Sequence, residues 1–233
     1  MDISVSRVAM ISGASRGIGA AIARELSARG WRLSLGLRDP ARSPLPESET
    51  LFVHPYQAER DTDAPDWVAA TLAQWGRVDA LVNNAGISRF VGLEAGDPAD
   101  LDQLYTVNVR APFMLTRAAL PALKASGRGR VVNVASLSGK RVLGLNAGYQ
   151  MAKHAVVALT HATRRIGWEH GIRATALCPG YVATDMTAQV SDPSPDEMID
   201  PANLARLVAT TMELPNTASV AELLVNCRYE TLL

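Results

Sequence analysis

Short apolar runs alternate along this chain with longer stretches in which apolar residues recur every third or fourth position. Runs at 7–11, 32–37, 50–56, 78–82, 130–135 and 172–178 have the length of buried strands, and 219–227 reads as a seventh, edge strand. The segment 18–28 carries Ile22 and Leu26 at helical spacing and stops at Gly30. Helical patterns also occupy 66–75, 97–124, 147–169 and 201–212. The pattern at 97–124 is expected to break or bend around Pro112, since proline removes a backbone donor and crowds the preceding turn. Prolines at 40–46 leave room only for a short helix, and 192–201, with Pro193, Pro195 and Pro201, reads as a loop placed to act as a lid over a substrate. Strands alternating with helices of this length predict βαβ units with right-handed crossovers. The expected fold is α/β, a Rossmann-type doubly wound three-layer sandwich with a seven-stranded parallel sheet. Residues 1–233 are expected to form one domain, because no linker or internal repeat divides them.

Composition narrows the partners. Hydrophobic residues make up 48% of the chain, enough for a sizeable core. Lys plus Arg and Asp plus Glu both total 23, and this balance argues against a nucleic-acid partner. The two cysteines, Cys178 and Cys227, stand in no metal-ligand spacing, so neither a metal site nor a disulfide framework is expected. No basic leader with an apolar stretch opens the sequence, and no apolar run reaches about 18 residues. The expectation is a cytoplasmic protein with no membrane partner.

The first candidate chemistry lies at Ser12-Gly13-Ala14-Ser15-Arg16-Gly17-Ile18-Gly19, between the first strand and the first helix. A dinucleotide pyrophosphate needs backbone N–H groups and the positive end of a helix dipole, with no side chains holding it away. Glycines at 13, 17 and 19 meet that need in a G-x-x-x-G-x-G spacing. Alone, the motif is also compatible with a glycine-rich turn that binds nothing.

Further features follow in order. Asn83-Asn84-Ala85-Gly86 follows the fourth run, Asn108 lies in the next helical pattern, and Ser136 closes the fifth run. Tyr149 and Lys153 stand four apart on the long helix, in a chain with only three lysines, and Pro179, Gly180, Val182 and Thr184 follow the sixth run. In this combination the chain resembles the short-chain dehydrogenase/reductase family over essentially its whole length. The resemblance implies a nicotinamide cofactor and a catalytic set of Asn108, Ser136, Tyr149 and Lys153. It places Gly13, Ser15, Arg16, Gly17, Ile18 and Gly19 along the pyrophosphate, and Asn84, Ala85 and Gly86 beside the adenosine half. Pro179, Gly180, Val182 and Thr184 would lie along the nicotinamide, and Tyr149 and Lys153 would also touch the cofactor. Where the family usually has an Asp beside the adenine, this chain reads Tyr56-Gln57-Ala58-Glu59. Gln57 could still bond the base, with Ala58 next to it.

These residue types suit proton transfer. Bringing a tyrosine from about 10 to about 7 takes roughly 4 kcal/mol in favour of phenolate. An ammonium about 4 Å away, at an effective dielectric near 20, supplies roughly that amount. Lys153 at i+4 shares a helix face with Tyr149 and is expected to lower its pKa and bind the ribose. Ser136 would orient the substrate oxygen. Asn108 would support a proton relay through water, although a buried amide satisfying backbone is another use of such a residue.

Cofactor choice turns on the end of the second strand. NAD-binding relatives carry an acid there for the ribose 2′-hydroxyl; here the position is Leu37, followed by Arg38, Asp39 and Arg42. Arg38, with Arg16 and Arg42, points to the extra phosphate of NADP(H), whereas a one-residue shift would let Asp39 accept from the ribose. Ser138, Leu143, Leu145, Asn146, Tyr181 and Met186 are the substrate-pocket candidates; Arg89, Lys140 and Arg141 are read as solvated surface. The tail Val225-Asn226-Cys227-Arg228-Tyr229 lacks the Asp-Gly-Gly common in acyl-carrier-protein ketoreductases. A homodimer or homotetramer is expected through the helices beginning at Ala111 and Ala147, with Ala118, Ala119, Val156 and Ala162 suited to close packing. The expected function is an NADP(H)-dependent oxidoreductase acting on a carbonyl or secondary alcohol. The alternatives are an NAD-dependent alcohol dehydrogenase and a non-catalytic NADP-sensing binding module.

Overall fold

The computed structural model describes residues 6–230. β1 (Val8–Ser12) is buried along its whole length, as an apolar run covered on both faces must be. It leads through the glycine turn into α1 (Gly17–Ala28), then β2 (Arg32–Leu37), β3 (Leu51–Pro55) and α2 (Asp63–Trp75). β4 (Ala80–Asn83), α3 (Pro98–Tyr105), α4 (Ala111–Ala125) and β5 (Arg130–Val134) follow. α5 (Ala147–Gly167), β6 (Arg173–Pro179), α6 (Pro201–Glu213) and β7 (Glu222–Val225) complete the order. All seven strands are parallel in the order β3-β2-β1-β4-β5-β6-β7, the doubly wound Rossmann-type arrangement expected.

Each strand sends alternate side chains to opposite layers. Ala9, Ile11, Val82 and Val132 pack with Ile22 and Leu26 of α1 and with Leu204 and Val208 of α6. Met10, Leu81 and Val131 pack against Trp67 of α2 and Leu115 and Leu123 of α4. Under α5, Ala135, Val156, Val157 and Ala176 form a third apolar cluster. A buried amide chain ties the second layer to the sheet: Asn83 Nδ2 donates to Asn133 Oδ1 (2.7 Å) and to Thr116 Oγ1 (2.9 Å), and Asn133 Nδ2 donates to Thr160 Oγ1 (2.8 Å).

The 97–124 pattern is interrupted, though not at Pro112. Residues Thr106–Arg110 form a π-turn, in which the Ala111 amide reaches back to the Thr106 carbonyl. Pro112 lies in the first turn of α4, directly after the π-turn, and Pro121 is carried inside that helix. The proline-rich stretch forms one 3₁₀ turn, Pro40–Arg42, capped by the Asp39 carboxylate accepting from the Ala41 amide (3.1 Å). The seventh strand is shorter than its apolar run. Among the described residues no helix is long and apolar enough to cross a membrane, and no His/Cys/Asp/Glu cluster could hold a metal ion.

The helix-face expectation needs correction. Ala119 and Val156 point into the chain's own core, at 0% and 3% exposure. Ala118 is half-buried and Ala162 exposed, and the outer surfaces of α4 and α5 also carry Phe113, Met151 and Ile166.

Candidate active site

β1 winds outward to β3, and the chain then crosses back to β4 on the other side of β1. The loops leaving β1 and β4 therefore diverge, and a crevice opens at their carboxyl ends. Gly13 adopts φ +66°, which an L side chain resists, and a Cβ there would lie 2.8 Å from Ala85 Cα. Asn84 Nδ2 fastens the two loops by donating to the Ser12 carbonyl (3.0 Å) and the Gly13 carbonyl (2.9 Å). Ser12 Oγ accepts from the amides of Asn84 and Ala85, both at 3.1 Å. The N-terminus of α1 has neither a side-chain cap nor an acid in its first turn, so its N–H groups and dipole face the crevice without a protein anion.

The crevice widens into a cavity of about 960 Å³. At one end stand Ser136, Tyr149 and Lys153. Ser136 follows β5 and caps the 3₁₀ turn Leu137–Gly139, its Oγ accepting from the Ser138 amide (3.1 Å). That turn lies on α5 because Gly139 has no Cβ: one would stand 2.6 Å from the Lys153 carbonyl oxygen. Asn146 caps α5, its Oδ1 accepting from the amides of Tyr149 (3.3 Å) and Val91 (3.1 Å), so the turn carrying Tyr149 is locked to the 89–91 loop. Lys153 Nζ donates to the Val134 carbonyl (3.0 Å) and sits 5.5 Å from the centre of the Tyr149 ring.

At the other end, Arg16, Arg38, Asp39 and Arg42 line the same cavity. Leu37 turns into the core at 2% exposure, so no acid occupies its place. Arg16 Nη1 donates to Asp185 (2.6 Å), an exposed pair that joins the glycine turn to the segment beyond β6. Ser15, Gly17, Ile18, Ala58, Asn84, Ala85 and Gly86 contribute to the wall, as do Pro179, Gly180, Val182 and Thr184.

Three expected positions stand elsewhere. Gly19 is behind the wall, where a Cβ would meet Asn84 Nδ2 at 2.4 Å; its smallness serves loop packing. Gln57 is not among the residues lining the cavity, whereas its neighbours Tyr56, Ala58 and Glu59 are, and its backbone N–H donates to the Asp63 carboxylate (2.8 Å). Asn108 is buried in the π-turn, with Oδ1 accepting from the Ile87 amide and Nδ2 donating to the Ile87 carbonyl, both at 2.9 Å. Its Oδ1 would be 3.2 Å from a Cβ on Gly86, and Lys153 Nζ 3.9 Å from the same point, so the amide and the ammonium flank that glycine.

Electrostatics at the catalytic end depart from the expectation. Burial pushes the Tyr149 phenol up to about 12, and the hydrogen bond with Ser136 draws it back only in part. The same burial brings the Lys153 ammonium down to about 8. One dry wall disfavours both charged forms.

All six substrate-pocket candidates line the cavity. Arg89 and Lys140 lie outside it, paired with Asp100 (3.5 Å) and Glu222 (2.7 Å). Arg141 lines it and is only 14% exposed, contrary to the expectation of a solvated residue. Asp185 and the segment Arg228-Tyr229-Glu230, also in the wall, were not anticipated. Asp185 adjoins Thr184 and could have been suspected, but nothing local marks Glu230.

Sheet order, crevice and the Tyr149–Lys153 face together define a Rossmann-type α/β protein whose site lies at the topological switch point. Residues 7–195 match the family model of the short chain dehydrogenases, and the chain belongs to that family. An agropine synthesis reductase of Rhizobium rhizogenes is 42% identical over 236 residues, covering 100% of this chain and 55% of its own. The chain thus spans about half the length of that relative. A 3-ketoacyl-(acyl-carrier-protein) reductase from Brucella melitensis, solved with NADH, superposes with a TM-score of 0.87 at 27% identity, over 95% of this chain and 97% of the other. A metagenomic short-chain oxidoreductase solved with NADP gives 0.81 at 32% identity, over 96% and 98%.

Proposed function

We propose that residues 1–233 act as one NADP(H)-binding oxidoreductase domain that interconverts a carbonyl compound and a secondary alcohol. One observation carries the reading: a single cavity has Ser136, Tyr149 and Lys153 at one end and Arg16, Arg38 and Arg42 at the other. The residues fit a nicotinamide dinucleotide. The uncapped start of α1 and the amides of 15–18 suit a pyrophosphate, and the three arginines suit a 2′-phosphate. Relatives solved with NADP and with NADH support a nicotinamide dinucleotide of either kind. The bound cofactor supplies or accepts the hydride and, when oxidised, adds a positive ring charge.

Ser136 Oγ donates to the substrate oxygen and fixes it beside the Tyr149 hydroxyl. In reduction Tyr149 gives its proton to that oxygen; in oxidation it takes the proton back. Its raised pKa keeps the proton on Tyr149 at neutral pH in the cofactor-free protein. Lys153 binds the nicotinamide ribose, and its own lowered pKa lets it exchange a proton in turn. Asn108 holds the 87 loop beside Lys153 and supports the relay to water. Asp39 lines the cavity, and this favours the second reading, an NAD-dependent alcohol dehydrogenase, although its carboxylate is already engaged as a cap. The exposed Phe113, Met151 and Ile166 suit self-association of a cytoplasmic dimer or tetramer.

Fluorescence titration with NADPH and NADH, on wild type and Arg38→Ala, tests the cofactor half. NADPH is expected to bind at least about tenfold tighter, with most of that margin lost in the variant. Equal or tighter NADH binding overturns it in favour of Asp39. A panel of ketones and aldehydes tests the reaction, and absence of any turnover would leave only the cofactor-sensing module.

A further inference from the structure

We propose that the substrate carries a carboxylate, which Arg141 binds at the catalytic end of the cavity with Glu230 as its positioning residue. The inference rests on the oxidoreductase reading and names the substrate class of the same pocket. Arg141 leaves the turn that begins with Ser136, and Glu230 comes from the segment beyond β7, 89 residues away in sequence. Both side chains are 14% exposed and both line the cavity that holds Ser136 and Tyr149. Arg141 Nε donates to Glu230 Oε2 at 2.6 Å, and Nη2 meets the same oxygen.

The stoichiometry of that pair is informative. A guanidinium has five N–H donors and does not lose its charge. One carboxylate oxygen takes two of them, and no other side-chain partner of Arg141 occurs among the described residues. The donors left over have no protein partner among the described residues and are not sealed from solvent, so they stay available to a ligand in the cavity. Their planar fork is shaped for a second carboxylate. The same wall carries apolar Leu143, Leu145 and Met186 beside the uncharged Ser138 and Asn146, none of which offers an anion a full positive charge. Arg228 also lines the cavity, but it is 47% exposed against 14% for Arg141, and its Nη1 lies 3.1 Å from both Asp192 oxygens. That contact ties the 226–230 segment a second time, so Glu230 is held at the end wall and keeps the Arg141 fork turned in one orientation.

The test uses NADPH and matched pairs: five-carbon oxo acids, with the ketone at the second, third or fourth carbon, against their methyl esters. The enzymes are wild type, Arg141→Gln, Arg141→Lys and Glu230→Gln. For at least one pair, wild type should favour the acid in kcat/KM by about tenfold or more. Arg141→Gln should shrink that acid-to-ester ratio about ten- to hundredfold, mainly through KM, and Arg141→Lys should restore part of it. Glu230→Gln should narrow the ratio less. A parallel melting-temperature shift of the NADPH-saturated protein with the same acids reports binding without turnover, and should vanish in Arg141→Gln. Esters reduced as well as acids, or a ratio indifferent to Arg141, overturn the carboxylate and leave the reductase standing. Acids that bind through Arg141 but are never reduced do the opposite. A preference for amino ketones that Glu230→Gln removes would assign this end to a cation and sink the proposal.

Discussion

Lys153→Met should reveal how much stability the site costs the fold, and the sign follows from one shift. The folded-state pKa of Lys153 lies near 8, depressed by burial from the ordinary 10.5. Between these values the unfolded chain holds a proton that the native protein lacks, so stability rises with pH across this window. Below 8 the burial penalty is present in full, about 3 kcal/mol for a shift of this size. At pH 9.5 the same relation leaves about 1.4 kcal/mol. Methionine removes the charge at similar length. It also removes the donor to the Val134 carbonyl, a loss of about 1–3 kcal/mol with no dependence on pH. Urea unfolding followed by tryptophan fluorescence, on the cofactor-free proteins at pH 7 and 9.5, gives the difference between variant and wild type at each pH. Tyr149 and Cys178, both raised by burial, occur in the two proteins alike, and the Lys153–Cys178 interaction adds only a secondary change to that difference. The variant's advantage, or its smaller deficit, should shrink by about 2 kcal/mol from pH 7 to 9.5. A difference independent of pH would mean that Lys153 is as well solvated folded as unfolded, and the electrostatic picture of the site would fail.

Other perturbations probe the scaffold. Asn133→Ala should cost about 2–3 kcal/mol in urea unfolding, because it takes one hydrogen bond each from the buried Asn83 amide and Thr160 hydroxyl and leaves them only their bonds to Thr116 and Val156. Gly139→Ala should lower both melting temperature and turnover, since the new Cβ would strike the Lys153 carbonyl and lift the Ser136 turn from α5; an unchanged kcat would show that the turn has slack. Asp185→Ala should leave stability within about 0.5 kcal/mol, as an exposed pair does, while tightening NADPH a few-fold by freeing Arg16, a change read by fluorescence titration.

Most of the sheet was legible because buried parallel strands write themselves as apolar runs, and six of the seven fall within a few residues of the pattern. β7 was overestimated: at the sheet edge it pairs with β6 alone, so apolar residues continue past the last hydrogen bond. Tyr149, Lys153, Ser136 and the glycine turn were legible because each sits at a strand end or on a helix face of fixed spacing. Gln57 was misplaced by one position, since β3 stops at Pro55 and the turn after it decides which side chain faces the cavity. Arg141 was misjudged because its burial depends on Glu230, which no spacing rule connects to it. The pKa values escaped for a similar reason: attraction within a helix turn is local, whereas dryness is a property of the whole wall.

The π-turn at Thr106–Arg110 has a consequence beyond holding Asn108. An extra residue in a helical ladder advances everything after it by about 100° around the axis. α3 and α4 form one nearly continuous rod with two orientations. Before the turn, Leu101 and Leu104 meet α5 where Gly148 lets them approach. After it, Leu115, Ala119 and Leu123 address α2 and the sheet. A single-residue deletion within 106–110 would give a more regular helix, yet leave one half of the rod facing the wrong neighbour. The irregularity works as a rotational offset, letting one helix serve two partners that an even spiral could not reach together.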